Sequence, residues 1–299
     1  MKKWLMVIRA PFLPLSVVLA FLGACIAWYT PGGAFHWGYA LLAGFGILLA
    51  HISVDVLNEY FDYRSGIDLE TVKTPFSGGS GALPEGLVTA RQALWLGLGC
   101  FIILIPIGVY FTLTKGWLLL PLLLVAAFCI LIYSPFILKT RWPEWAPGLG
   151  MGALPVLGMY FAQTGQYTVP AIIASVPSFI LVHNLLLLNE FPDVEADQKA
   201  GRKTTPITLG KKKASIFYSI TTALVYIWII GAVIAGQMPP FSLIALLTLP
   251  LAIKAIRGAL QSQDRGKLMP AMASNVMVVL ITQALLGVGF ILARVVEAG

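Results

Sequence analysis

Acids, thiols and imidazoles are all scarce in this 299-residue chain, which holds 13 Asp and Glu, 3 Cys and 3 His. Charged residues make up 11% of it against 58% hydrophobic ones, too few to clothe the surface of a soluble domain. Cys25, Cys100 and Cys129 all fall in apolar stretches and share no metal or pairing spacing, so a disulfide framework and a thiolate zinc site are both excluded. They read as small core residues. His36 reads as interfacial, and His51 and His183, inside apolar runs, as hydrogen-bond partners of neighbouring helices.

What the chain has instead is apolar length. Mean hydropathy is +0.86, and a crossing needs roughly 20 mostly apolar residues. Nine runs qualify, near 9–29, 37–61, 90–113, 117–138, 146–164, 168–192, 213–235, 241–258 and 270–293. The expected fold is therefore an all-α membrane protein of nine transmembrane helices in a single domain, 1–299. Its first half covers about 1–140 and its second about 141–260, each of four helices, and a ninth helix follows. With the N-terminus cytoplasmic, 18 of the 20 Lys and Arg fall inside, and only Lys115 and Arg294 fall outside, as the positive-inside rule requires. The net charge of +7 thus calls for no nucleic-acid partner and suits anionic lipid headgroups. Met1-Lys-Lys and Leu22-Gly-Ala-Cys25 mimic a secretory or lipoprotein signal, but the charge pattern favours a retained first helix. The short basic N-terminus points to the cytoplasmic membrane of a prokaryote.

Two acidic cassettes end the second and sixth runs, both on the cytoplasmic side. The first reads Asn58-Glu-Tyr-Phe-Asp62-Tyr-Arg-Ser-Gly-Ile-Asp68, and the second Asn189-Glu-Phe-Pro-Asp193-Val-Glu-Ala-Asp197. In each, Asn and Asp at i and i+4 share a helix face. Acids this close to a bilayer are costly and mark function. Asn58, Asp62, Asp68, Asn189, Asp193 and Asp197 offer oxygen ligands for two Mg²⁺, which commonly bridge carboxylates to phosphates. The loops that follow bring cations, glycine amides and hydroxyls: Lys73, Ser77 and Ser80 in one, Arg202 and Lys203 in the other. Asp55 and Glu59 continue the i, i+4 spacing, and either would orient ligands or take a proton, or serve as a helix-end acid bonded to an inward-facing Lys. Glu190 and Glu195 are expected to face headgroup water. Arg9 suits an anionic group, carboxylate or phosphate, or a plain positive-inside anchor.

These cassettes resemble the two aspartate-rich motifs of the UbiA superfamily of intramembrane prenyltransferases. Asn58, Asp62, Gly66 and Asp68 match the first motif, and Asp193 and Asp197 the second. Tyr133-Ser-Pro-Phe-Ile-Leu-Lys139 resembles the family's segment after the fourth span. Where the 4-hydroxybenzoate branch has two further Asp, this chain has Glu59 and Gly66, which looks more like the 1,4-dihydroxy-2-naphthoate branch of menaquinone biosynthesis. The resemblance implies Mg²⁺-dependent transfer of a polyprenyl chain from an allylic diphosphate to an aromatic acceptor, in a site open to the cytoplasm. Asp62 and Asp193 would be central to catalysis, and Lys73, Lys139, Arg202, Lys203 and Tyr133 would contact the diphosphate or its surroundings. Other acceptors within the same chemistry are 4-hydroxybenzoate, homogentisate and a glycerol-phosphate lipid. A cation-coupled transporter is the rival from another class, but its acids belong at the bilayer midplane.

Overall fold

The computed structural model describes residues 2–31, 35–71 and 73–298, and among these no strand occurs. The principal helices are α1 Pro14–Tyr29, α2 Trp37–Ser65, α3 Ala90–Lys115, α4 Leu119–Ile132, α5 Leu154–Thr164, α6 Val169–Asn189, α7 Lys211–Ile234, α8 Leu249–Leu260 and α9 Arg265–Ala298. Among the described residues, seven helical stretches are long and apolar enough to cross a membrane. The stretches expected as fourth and fifth spans fold differently. α4 has 14 residues, and α5 is the end of a continuous helical run whose middle, Leu149–Ala153, is a π-helix.

Local signals set the ends. Thr89 and Gln92 form a capping box at the start of α3, and Thr168 accepts from the Ala171 amide at the start of α6. α2 stops at Gly66, whose φ of 81° lets its amide reach back to the Asp62 and Tyr63 carbonyls. Each helix packs on its successor and α9 returns to α1, so the bundle closes on itself. α1 also lies against α5 and α6.

The packing is that of a protein dissolved in lipid. Ile105, Leu113, Ile227 and Leu247 are exposed on the outside, while polar groups are drawn inward. Asn184 on α6 donates to Thr222 and accepts from Thr221 on α7, at 2.9 and 2.8 Å. Tyr218 donates to Asn275 on α9 at 2.9 Å. Such pairs hold helices together where lipid offers no hydrophobic drive. Cys25, Cys100 and Cys129 are buried and free.

Length places the first cassette. α2 has 29 residues, a rise of about 44 Å, against a hydrocarbon thickness of about 30 Å. Asn58 to Asp62 therefore sit in its last two turns, beyond what the hydrocarbon alone would cover.

Candidate active site

α2 and α6 bring their cassettes to opposite walls of one cavity. Asn58, Asp62 and Asp68 of the first cassette line it, as do Asn189, Asp193 and Asp197 of the second. The Arg202 guanidinium bridges them, contacting Asp62 and, at 2.9 Å, Asp197. Two more links join the loops. Ser77 donates to Asp193 at 3.4 Å, and Lys199 pairs with Glu70 at 2.7 Å.

Asp68 reaches the cavity because the chain reverses at Gly66 and starts a short helix, Ile67–Glu70. It lies under the glycine loop: a Cβ on Gly79, itself at φ 69°, would come within 2.8 Å of Asp68 Oδ1. The loop is fastened from below by Glu59, which is 1% exposed and accepts from the Ser80 amide at 2.7 Å and the Ser80 hydroxyl at 2.6 Å. Arg9 Nε stands 3.7 Å from the same carboxylate.

The electrostatics are those of crowded, desolvated acids. Burial, then Asp62 and Glu59, push the Asp68 carboxyl up to about 8. Burial and Asp197 push Asp193 up to about 7. Burial also raises Asp197 against the pull of Arg202. Arg202 loses hydration on burial, but Asp62 and Asp197 outweigh that loss and hold it charged.

The donor set fits a hard cation. Asp68 Oδ2 and Asn189 Oδ1 are buried without a hydrogen-bond partner, and all the acids present oxygen. Among the described residues no three Asp, Glu, His or Cys groups close around one point. The two walls face each other across Arg202, so substrate oxygens and water would have to complete any coordination sphere.

The other expected residues divide. Arg9, Asp55, Ser77, Tyr133 and Arg202 also line the cavity. Glu59, Lys73, Ser80, Lys139 and Lys203 do not. Lys73 pairs with Glu85 at 2.7 Å, and Lys139 and Lys203 are exposed. Lys203 contributes through its backbone, bonding to Leu138 and Trp142 and so pinning the second loop beside the end of α4.

Glu190 corrects an expectation. It is 8% exposed and lines the cavity, whereas Glu195 is exposed as expected. Burial and the neighbouring Glu144 carboxyl raise Glu190 well above the carboxylate range. Glu144, fully buried and accepting from the Thr205 amide at 2.6 Å, was invisible in the sequence because no spacing ties it to the cassettes. His51 also lines the cavity, four residues before Asp55, and that spacing was the available signal.

A second, apolar groove runs between α2, α3, α4 and α5, walled by residues such as Gly46, Leu104, Ile107 and Leu123. It shares Ile130 and Gly150 with the acidic cavity, so the two abut.

Comparison with known proteins identifies the family and the fold. Residues 16–292 match the UbiA prenyltransferase family. The chain is 31% identical over 253 residues to 1,4-dihydroxy-2-naphthoate octaprenyltransferase of Bacillus subtilis, covering 83% of this chain and 80% of that protein. It shares its fold with the apo structure of a UbiA homologue from Aeropyrum pernix, at a TM-score of 0.69 and 19% identity over 94% of this chain and 97% of the other. A UbiA homologue from Archaeoglobus fulgidus bound to GPP and Mg²⁺ superposes with a TM-score of 0.62 and 16% identity, covering 95% and 99%.

Proposed function

The chain belongs to the UbiA prenyltransferase family, and from that premise we propose that this membrane transferase moves a polyprenyl chain from an allylic diphosphate to 1,4-dihydroxy-2-naphthoate, with loss of carbon dioxide and release of diphosphate. The observation that carries the reading is the junction of an acid-lined cavity with an apolar groove. One end suits a metal-bound diphosphate and the other a hydrocarbon tail. The naphthoate is favoured by the Bacillus relative and by the form of the first cassette. A bilayer-midplane ion site, which a cation-coupled transporter needs, has no counterpart in these helix-end acids.

Asn58, Asp62, Asp68, Asn189, Asp193 and Asp197 would hold two Mg²⁺ beside the diphosphate. Bound there, the metal would neutralise negative charge that grows on the leaving group as the allylic C–O bond breaks. Arg202, already set between Asp62 and Asp197, adds fixed positive charge at the same place. Ser77 and the amides of the glycine loop are donors on the roof, and Glu59 holds that roof in position. Apolar walls such as Leu185, Val279 and Leu280 keep water from the carbocation. Arg9 stands at the same mouth with its guanidinium 5.1 Å from the Phe12 ring, where a ring-bound carboxylate would find a cation.

The topology that accompanies this reading has nine crossings, an N-terminus in the cytoplasm and a site open to that side of a prokaryotic cytoplasmic membrane. Two four-helix halves would then set α2 and α6 face to face. Purified protein given the naphthoate, a prenyl diphosphate and Mg²⁺ should yield a product heavier than the acceptor by the prenyl group less carbon dioxide. A product that keeps the carboxylate, or prenylation of 4-hydroxybenzoate alone, would overturn the naphthoate assignment.

A further inference from the structure

α2 presents one continuous polar stripe to the cavity: His51, Asp55, Asn58 and Asp62, at i, i+4, i+7 and i+11. The outer half, Asn58 and Asp62, belongs with the second cassette. The inner half does not. Asp55 lies seven residues before Asp62, about 10 Å deeper along the helix axis. Its partner there is His51, whose Nε2 stands 3.4 Å from Asp55 Oδ2.

His51 is itself held. Its Nδ1 is 2.7 Å from the Ser16 hydroxyl of α1, and both residues are buried. With the Ser16 O–H donating to Nδ1, the remaining ring proton sits on Nε2 and faces the carboxylate. Asp55 Oδ2 is buried with no hydrogen bond of ordinary geometry, yet the side chain keeps 18% of its surface and lines the cavity. A carboxylate is thus steered from behind by a fixed imidazole and left open in front. Arg9, a cation that lines the same cavity, is held at a left-handed φ of 49°. A non-glycine residue kept there is a strain that the surroundings must maintain, and such strain collects at functional sites.

Resting on the naphthoate reading, we propose that Asp55, oriented by His51 and Ser16, is the base that takes the acceptor's hydroxyl proton and then returns it. The bookkeeping of bonds requires such a group. As the carboxylate-bearing ring carbon bonds to the allylic carbon, the C–O bond to diphosphate breaks. The neighbouring O–H proton passes to Asp55, and its electron pair becomes the C=O of a β-keto carboxylate. Loss of carbon dioxide sends the C–C pair back into that ketone. The enolate oxygen so formed recovers the proton from Asp55. No proton is exchanged with water, which suits a site that must exclude water from the carbocation. Asp55 contacts substrate in this scheme, whereas His51 is a positioning residue.

The test uses full-length protein in detergent with Mg²⁺, geranyl diphosphate and 1,4-dihydroxy-2-naphthoate, and measures diphosphate, geraniol and prenylated product together. Asp55→Asn should lower kcat for the prenylated product by roughly 10²- to 10³-fold, the range of general-base catalysis. The KM for geranyl diphosphate should stay within about twofold, and the geraniol share of released chains should rise. His51→Ala should lower kcat about tenfold, and His51→Gln, which keeps an N–H donor, should restore much of it. Asp55→Glu keeps the carboxylate and should give the same change in partition to a smaller degree, which covers poor accumulation of Asp55→Asn. The proposal falls if Asp55→Asn raises the requirement for Mg²⁺ or prenyl diphosphate, lowers product and geraniol together, or leaves product formation intact. Absence of naphthoate prenylation by the unmodified protein would instead remove the reading beneath it; the same partition can then be measured with whichever aromatic hydroxy acid the protein does prenylate.

Discussion

Two clusters of polar side chains inside this bundle are treated in opposite ways. Between α6, α7 and α9, Asn184, Thr221, Thr222, Tyr218 and Asn275 satisfy one another at ordinary distances. Around the cavity, Asp55, Asp68, Asn189 and Glu190 each keep a buried oxygen with no partner. In a medium of low dielectric an unsatisfied polar atom costs about 1–3 kcal/mol, and more if charged. A chain that tolerates this at one site and avoids it at the other is using the two for different ends. The closed network is glue, and the open one keeps its oxygens unspent.

Substitutions that exchange function for stability test this contrast. The largest effect is expected at the open site. Asp62→Asn and Asp193→Asn should each cut diphosphate release by roughly 10³-fold or more while thermal unfolding in detergent stays near that of the unmodified protein. Removing divalent metal with a chelator should give the same loss, and added Mg²⁺ should reverse it. Retained turnover in both variants would end the metal assignment.

The closed network should show the reverse. Asn184→Ala removes the hub between Thr221 and Thr222 and should lower stability by about 1–2 kcal/mol, the scale of interhelical hydrogen bonds in membranes. The KM for prenyl diphosphate should not move. If KM rose while the unfolding midpoint held, the network would belong to the site after all.

The smallest effect sharpens the boundary between the two. Glu190 is raised by burial and by Glu144 beside it. A folded-state value above the unfolded one contributes stability at low pH and loses it as pH climbs through the folded value. Unfolding scans above the ordinary carboxylate range should therefore show stability declining with pH, and Glu190→Gln should flatten that slope. An unchanged slope would show that the proton on Glu190 is not what keeps this pair buried.

The cassettes were legible because an i, i+4 spacing is enforced by the helix itself, so Asn58 and Asp62 share a face wherever the helix lies. The cationic residues were less legible. Arg202 and Lys203 are adjacent in the chain, yet the first bridges Asp62 and Asp197 while the second is exposed. Nothing local separates them, since the choice depends on how the loop folds against Leu138 and Trp142. Lys73 was a reasonable phosphate contact by its neighbours, but the loop turns it towards Glu85. Glu59 suited orienting the ligands or taking a proton, and the fold uses it as an anchor for Ser80.

By itself, the order of residues settled that this chain lives in a membrane, where its long helices run, and that acid-bearing cassettes close two of them. Hydrophobic length and helical periodicity are local properties, and a bilayer or a helix imposes them residue by residue. Only the assembled bundle decided that Arg202 would join the cassettes, that Glu144 and Glu190 would be buried side by side, and that His51 would stand behind Asp55. Those pairings depend on which helices pack and how each loop returns, and that is fixed by the closing of the whole ring of helices.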